Sequence, residues 1–201
     1  MQRARRADTT EWISQRPATE IYRPSVGRIA HVAFVSSDPL SPMATYSRLT
    51  RVSAPLSEVW DFHSRVSGLE ALTPGWMNLH IEAVTGPGGD RDPEILETGS
   101  EIQMSMRPFG VGPRQRWTSV ITERESGEER AMFRDEMRGG PFAKWVHTHR
   151  FIADGEETIL DDQVEYELPG GGLGRTASPL AVVGFEPMFR ARHRKTKELL
   201  E

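Results

Sequence analysis

Residues 143–168 read AKWVHTHRFIADGEETILDDQVEYEL and hold the clearest structural signal in the chain. Apolar and polar residues alternate on both sides of Asp154-Gly155, a pair suited to a tight turn. Alternation with a period of two is typical of strands that bury one face. The stretch therefore predicts an antiparallel hairpin with strands at 143–152 and 158–168, one face of which lies against a core.

Strand patterns separated by turn residues continue toward the N-terminus. They predict strands at 46–52, 77–84, 100–107, 115–124 and 130–138. After the first strand, Pro55 lies in the first turn of a short helix that carries Val59 and Phe62 at helical spacing. A second short helix is predicted at 69–72, before the turn Thr73-Pro74-Gly75.

Residues 182–200 predict a long amphipathic helix that begins or bends near Pro187. One face of this helix carries Val182, Phe185, Phe189, His193, Thr196 and Leu200. Its arginines and lysines are interpreted as a solvated surface. The whole order predicts an α+β fold: a curved antiparallel sheet of about six to seven strands wraps around the C-terminal helix, with two short helices after strand 1. The strand faces suit an enclosed pocket.

Composition excludes several classes of function. The 201 residues suffice for one ordinary domain, and 25 basic against 29 acidic residues give a charge of −4, which disfavours nucleic-acid binding. With no cysteine, disulfides and thiolate chemistry are excluded. No stretch approaches the roughly 20 apolar residues of a membrane span. These features fit a cytoplasmic protein.

The first 43 residues differ from the rest of the chain. They include Pro24, Pro39 and Pro42 and show no sustained periodicity, which predicts a disordered tail. Alternatively, Met43 is the true start, because regular patterning begins directly after it. The predicted domain therefore spans 44–201, and the sequence leaves open whether residues 1–42 exist in the native protein.

Two motifs resemble a known superfamily. The run APLSEVWDF at 54–62 and the run FRDEMRGGPFAKWVHTHRF at 133–151 are similar to the SRPBCC superfamily, the helix-grip fold of START lipid-transfer domains and polyketide cyclase/dehydrases. The resemblance covers about residues 44–200, and the second run resembles an uncharacterised ligand-binding branch. It implies an internal cavity without an agreed reaction. It also implies that the loop 108–113 and the glycine-rich turn 170–174 border the cavity mouth.

The candidate chemistry centres on two histidines that face inward from one strand. In the predicted hairpin register His147 lies opposite Asp162, and the preceding hairpin places Arg134 on the other side of His147. Such a row could orient the imidazole, transfer a proton or hold a polar ligand group. These three residues are the candidates for catalysis. The alternative is a buried polar network that only stabilises the fold.

A larger set is predicted to bind a ligand. The thioethers of Met104 and Met106 share a strand face and, with Trp117, suit an adaptable apolar pocket, although ordinary core burial explains them equally. The predicted ligand-binding residues are Met104, Met106, Trp117, Met132, Arg134, Glu136, Trp145, His147, His149, Phe151, Asp162, Tyr166, Phe185 and Phe189.

Neither a cofactor nor a metal is predicted. His147, His149 and Asp162 are possible ligands, but zinc sites usually show sharper spacing. His63, His80 and His193 are interpreted as surface or cap residues.

Three functions remain open at this point. The first is a noncatalytic carrier or sensor of a small hydrophobic, lipid-like or polyketide-like molecule. The second is a cyclase or dehydratase that uses His147 as a base oriented by Asp162, with Arg134 steadying an enolate. The third, implied by the resemblance alone, is an interaction partner of an epimerase-like protein. The sequence identifies neither the ligand, the reaction nor the oligomeric state.

Overall fold

The computed structural model describes residues 32–36, 43–171 and 182–201. In these ranges the strands are β1 Val32–Ser36, β2 Ala44–Val52, β3 His80–Thr85, β4 Glu101–Met106, β5 Gln115–Ser126, β6 Arg130–Gly139, β7 Lys144–Asp154 and β8 Glu157–Glu167. The helices are α1 Leu56–His63, α2 Val66–Leu72 and α3 Val182–Leu200, with short 3₁₀ turns at Gly75–Met77 and Pro108–Gly110. None of these helices combines the length and apolar character needed to cross a membrane.

The strands form one antiparallel sheet in the order β1-β2-β8-β7-β6-β5-β4-β3. Every neighbouring pair is antiparallel, and β2 joins β8, the last strand, so the two ends of the domain meet in the sheet. Helix α3 packs across the concave face, and α1 and α2 follow β2 as predicted. The α+β helix-grip fold predicted from the sequence is confirmed.

The N-terminal segment contains one strand that the sequence did not predict. Residues Val32–Ser36 pair with β2, with Val32 opposite Leu49 and Ser36 opposite Thr45. The prediction of a disordered tail is therefore wrong for these residues. A short run rich in β-branched residues can satisfy its backbone polar groups on the open edge of β2. The remainder of the predicted tail, 1–31 and 37–42, lies outside the described residues.

The β7–β8 hairpin closes through Gly155-Glu156, with Asp154 opposite Glu157. Gly155 has φ of 67°, and a positive φ at the first central position is typical of a type II′ turn that glycine adopts without strain. The loop is two residues shorter than predicted, because β7 extends to Asp154 and does not end at Ile152. Because the register moves by two residues, each side chain keeps its predicted face.

Helix α3 is anchored to β2 by both apolar and polar contacts. Phe185 and Phe189 are buried against the ring of Tyr46, at centroid distances of 6.0 and 5.1 Å. The Glu186 carboxylate accepts hydrogen bonds from Tyr46 Oη at 2.7 Å and from Arg48 Nη1 at 2.5 Å. The helix is continuous through Pro187. These contacts fix the helix face that overlies the inner surface of the sheet.

Candidate functional site

A cavity of about 410 Å³ lies between α3, the helices after β2 and the inner face of the sheet. Its wall is largely apolar. Eight of the predicted ligand-binding residues line it, namely Met104, Met106, Trp117, Trp145, His147, His149, Phe185 and Phe189. Trp76, Leu72 and Phe142 contribute further apolar surface that the sequence did not mark as part of a site.

Three predicted site residues point away from the cavity. The predicted β6–β7 register is wrong by one residue, because Asp135, and not Arg134, pairs with His147. A shift of one residue exchanges the faces of a strand. Arg134 therefore contacts Glu123 on the outer face, at 3.0 Å, and the proposed row Arg134–His147–Asp162 does not exist. Met132 and Glu136 lie on the same outer face of β6, and Glu136 is exposed.

Three other predicted residues are buried without reaching the cavity. Phe151 and Tyr166 are fully buried in the apolar clusters at the two ends of the helix. Asp162 is 2% exposed and lies behind the histidines that line the cavity wall. Their predicted role as direct ligand contacts is not supported by these positions.

The polar centre of the site consists of Asp135, His147, His149, Asp162 and His193, called here the His–Asp cluster. The Asp162 carboxylate contacts all three imidazoles: His147 Nε2 at 3.2 Å, His149 Nδ1 at 2.6 Å and His193 Nε2 at 2.7 Å. The His147 and His193 contacts are hydrogen bonds, whereas the His149 contact is close but lacks a hydrogen-bond angle. The predicted contact between His147 and Asp162 is thus present, although His149 is the residue directly opposite Asp162.

Asp135 lies on the cavity side of the same two rings. Its Oδ1 is 3.8 Å from His147 Nδ1 and 3.7 Å from His149 Nε2, while its Oδ2 accepts a hydrogen bond from Ser119 Oγ at 2.9 Å. The two imidazoles therefore lie between two carboxylates. Their ring centroids are 3.7 Å apart.

Both aspartates are stabilised in the ionised form. Burial alone would raise the pKa of Asp162, but the charge of His149 and the close contacts with all three histidines outweigh it and hold the pKa well below its usual value. The pKa of Asp135 is lowered in the same way, because contacts with His149, His147 and Ser119 outweigh burial. Each ionised carboxylate can only accept hydrogen bonds, so an imidazole nitrogen that hydrogen-bonds to it carries the proton.

The pKa values of the two histidines on β7 are shifted in opposite directions. Burial and the charge of His149 lower the pKa of His147, despite opposition from Asp162 and Asp135. Burial also disfavours charge on His149, but Asp162 and Asp135 outweigh that effect and raise its pKa. The pair therefore combines a neutral imidazole with a more readily protonated one, as acid–base sites often do.

Two more polar residues reach this site. His63 is buried, lines the cavity and contacts Thr196 Oγ1 through Nε2 at 3.3 Å, and burial lowers its pKa well below the usual value. Arg192 lines the cavity from α3, and burial lowers its pKa despite the nearby aspartates. The interpretation of the α3 arginines as a solvated surface is therefore wrong for Arg192.

The interpretation of His63 and His193 as surface or cap residues is wrong, since both are buried, whereas His80 is exposed. A signal for His193 was present in the sequence, because it lies at helical spacing from Phe189 on the buried face. Asp135 lay within the motif at 133–151 but was assigned to the wrong face. Which of Asp135 and Arg134 faces the cavity depends on the β6–β7 register alone.

The loop 108–113 borders the cavity, as the resemblance implied. Phe109 is 75% exposed, lines the cavity and stacks on Trp76 with ring centroids 4.9 Å apart. Most of the glycine-rich turn 170–174 lies outside the described residues. The position of the glycine-rich turn at the cavity mouth therefore stays a prediction.

An antiparallel sheet curved around a C-terminal helix defines a helix-grip fold. A family model described as "Polyketide cyclase / dehydrase and lipid transport" matches residues 52–190. The chain belongs to this family, and its resemblance to the SRPBCC superfamily is confirmed. No curated protein sequence matches it.

Solved structures share this fold at low sequence identity. A protein from Arthrobacter aurescens has a TM-score of 0.58 at 15% identity, and the match covers 83% of this chain and 90% of that one. Norcoclaurine synthase from Thalictrum flavum, a point mutant in complex with a transition-state analogue, has a TM-score of 0.56 at 16% identity, covering 86% and 97%. A START superfamily protein from Mycobacterium smegmatis has a TM-score of 0.52 at 15% identity, covering 77% and 98%. These similarities establish the fold, and some proteins that share it are enzymes.

Proposed function

We propose that the protein binds a small, largely apolar molecule in its cavity and acts as a carrier or sensor of that molecule. The observation that carries this proposal is a cavity of about 410 Å³ with a wall built mainly of aromatic side chains, methionines and leucines. Ligand pockets of roughly 300–1,000 Å³ with a few convergent polar groups are typical of small-molecule sites. Methionines adapt to ligands of loosely defined shape.

The His–Asp cluster supports a ligand with at least one polar group. Asp135, His147 and His149 lie together on a wall that is largely apolar, and Arg192 approaches from the helix. A hydroxyl or carbonyl oxygen of the ligand can exchange hydrogen bonds with these groups, while the apolar body contacts Trp117, Trp145 and the methionines. Buried polar groups that pair with the ligand add specificity to the apolar attraction.

Ligand binding can be tested with a fluorescent hydrophobic dye and by native mass spectrometry of gently purified protein. Met106→Trp adds bulk to the cavity wall and is expected to weaken dye binding at least tenfold. Leu199→Trp makes a comparable change on the exposed side of α3, where it should leave dye binding unchanged. The proposal fails if the wild type neither carries a copurified small molecule nor binds the dye, or if both variants bind dye as tightly as wild type.

A cyclase or dehydratase activity is the second candidate, and the neutral imidazole of His147 on the cavity wall favours it. A neutral imidazole beside ionised carboxylates can accept a proton from a bound ligand, and Arg192 is placed to steady developing negative charge in the role first assigned to Arg134. The described residues show nothing that points to an epimerase-like partner.

The catalytic candidate can be tested with a poly-β-keto thioester, whose cyclised or dehydrated products are measured by mass spectrometry. His147→Gln is expected to lower turnover at least a hundredfold. His80→Gln, at an exposed histidine on β3, serves as the control and should keep full turnover. Equal turnover in the two variants would exclude His147 as the base.

A further inference from the structure

Asp135, His147 and His149 bring three potential metal ligands to one wall of the cavity. The two histidines are two residues apart on β7, which places both imidazoles on one face of the strand. Asp135 is directly opposite His147 on β6. One donor atom from each of the three lies within 4.8 Å of the other two. Two adjacent strands of the sheet, and no loop, hold this arrangement.

The spacing between Asp135 and the imidazoles is unusual for a hydrogen-bonded network. The same oxygen, Asp135 Oδ1, lies 3.8 Å from His147 Nδ1 and 3.7 Å from His149 Nε2. Both distances exceed the roughly 2.7–3.2 Å of an N–H···O hydrogen bond. Ligand atoms that share a tetrahedral zinc ion, at bonds of about 2.0–2.1 Å, are roughly 3.3 Å apart. Small side-chain movements would therefore suffice for all three to bind one ion.

The opposite edges of the two rings face a carboxylate that is suited to orienting metal ligands. His147 Nε2 and His149 Nδ1 lie 3.2 and 2.6 Å from Asp162 Oδ1. Metal-binding histidines commonly direct their second nitrogen to a carboxylate, which fixes the tautomer and leaves the other lone pair for the ion. Asp162 is itself held by His193 Nε2 at 2.7 Å and is 2% exposed. Because His147 Nε2 and His149 Nδ1 face Asp162, the ring nitrogens on the Asp135 side are His147 Nδ1 and His149 Nε2.

We propose that Asp135, His147 and His149 bind a divalent transition-metal ion such as Zn²⁺ or Fe²⁺. The remaining coordination positions of the ion would face the cavity. Two imidazoles and one carboxylate with open positions are the ligand set of many catalytic zinc and non-haem iron sites. Asp162 orients the histidines and is not a ligand, in contrast to the set considered from the sequence.

This inference does not depend on an apolar ligand in the cavity. It does exclude a cyclase or dehydratase in which His147 is the general base, because an imidazole that binds an ion is not free to accept a proton. A metal titration therefore distinguishes His147 as a metal ligand from His147 as a general base without any knowledge of the substrate.

The test is a titration of metal-free protein with Co²⁺, whose visible absorption reports ligand number and geometry. The wild type is expected to bind one Co²⁺ per chain with the intense bands of a four- or five-coordinate site, and equimolar Zn²⁺ should abolish them. Asp135→Asn and His149→Gln should each weaken binding at least a hundredfold. Asp162→Asn, which keeps all three ligands, should weaken it about 10–100-fold.

The control variants are His80→Gln and Asp90→Asn, which alter an exposed histidine and an exposed aspartate outside the cavity and should bind Co²⁺ like the wild type. The proposal is overturned if micromolar wild-type protein shows no Co²⁺ band, or if Asp135→Asn binds as tightly as wild type. If a variant fails to fold by circular dichroism, the wild-type spectrum and its loss with Zn²⁺ still decide the question. A negative dye-binding result would leave this inference unaffected.

Discussion

Asp162 projects from the inner face of β8, and its carboxylate contacts imidazoles from both β7 and α3. The contacts to His149 and His193, at 2.6 and 2.7 Å, connect the centre of the sheet to the helix that it grips. Because the carboxylate is 2% exposed, water cannot replace these partners. A buried charge of this kind is tolerated only when its partners satisfy it.

Replacement of Asp162 tests this role at the level of one residue. Asp162→Asn keeps the shape of the side chain but removes the charge, and it is expected to lower the free energy of unfolding by about 3 kcal/mol. Urea unfolding followed by tryptophan fluorescence measures the change. Asp90→Asn, at an exposed aspartate, should leave the midpoint unchanged. A loss no larger than that of Asp90→Asn would show that the cluster does not stabilise the fold.

At the scale of elements, the hairpins show which parts of the site the sequence could predict. The alternation in β7 and β8 was sufficient to place His147, His149 and Asp162 on the inner face, even though the predicted register was wrong by two residues. A shift of two preserves the face of a side chain, and a shift of one reverses it. The β6–β7 connection has two consecutive glycines, Gly139 and Gly140, both with positive φ. Such a loop permits several registers, and the single-residue error there exchanged Arg134 for Asp135.

The spacing of apolar residues in α3 predicted its buried face, but the partners of its polar residues came from distant parts of the chain. His193 contacts Asp162 on β8, and Glu186 contacts Tyr46 and Arg48 on β2. No local pattern encodes such pairs, because they depend on how the helix is placed over the sheet. Arg192 was therefore assigned to solvent, although it reaches the cavity.

Glu186 provides a prediction for the attachment of α3. Its removal leaves the guanidinium of Arg48, only 2% exposed, without its carboxylate partner. Since Glu186 itself is partly exposed, we expect Glu186→Ala to lower the free energy of unfolding by about 2 kcal/mol, below the range for fully buried pairs. Glu198→Ala on the same helix removes only exposed ion pairs and should change stability by less than about 0.5 kcal/mol. Equal values for the two variants in chemical denaturation would contradict this assignment.

Across the whole molecule, apolar clusters lie on either side of the cavity and support its wall. One joins α1 to the ends of β7 and β8, and another joins α3 to β2 and β8. The third packs the inner faces of β3 to β5. The domain therefore obtains its stability around the hollow region, and the side chains that face the hollow are available to contact a ligand.

The cavity also makes the volume change on unfolding depend on whether a ligand fills it. Unfilled internal space is lost on unfolding, so hydrostatic pressure favours the unfolded chain in proportion to that space. We expect Met106→Trp, or saturation with a bound hydrophobic dye, to reduce the magnitude of the volume change measured by high-pressure fluorescence. Leu199→Trp should leave it as in the wild type. If so, the empty domain would unfold at a lower pressure than the same domain with a ligand in its cavity.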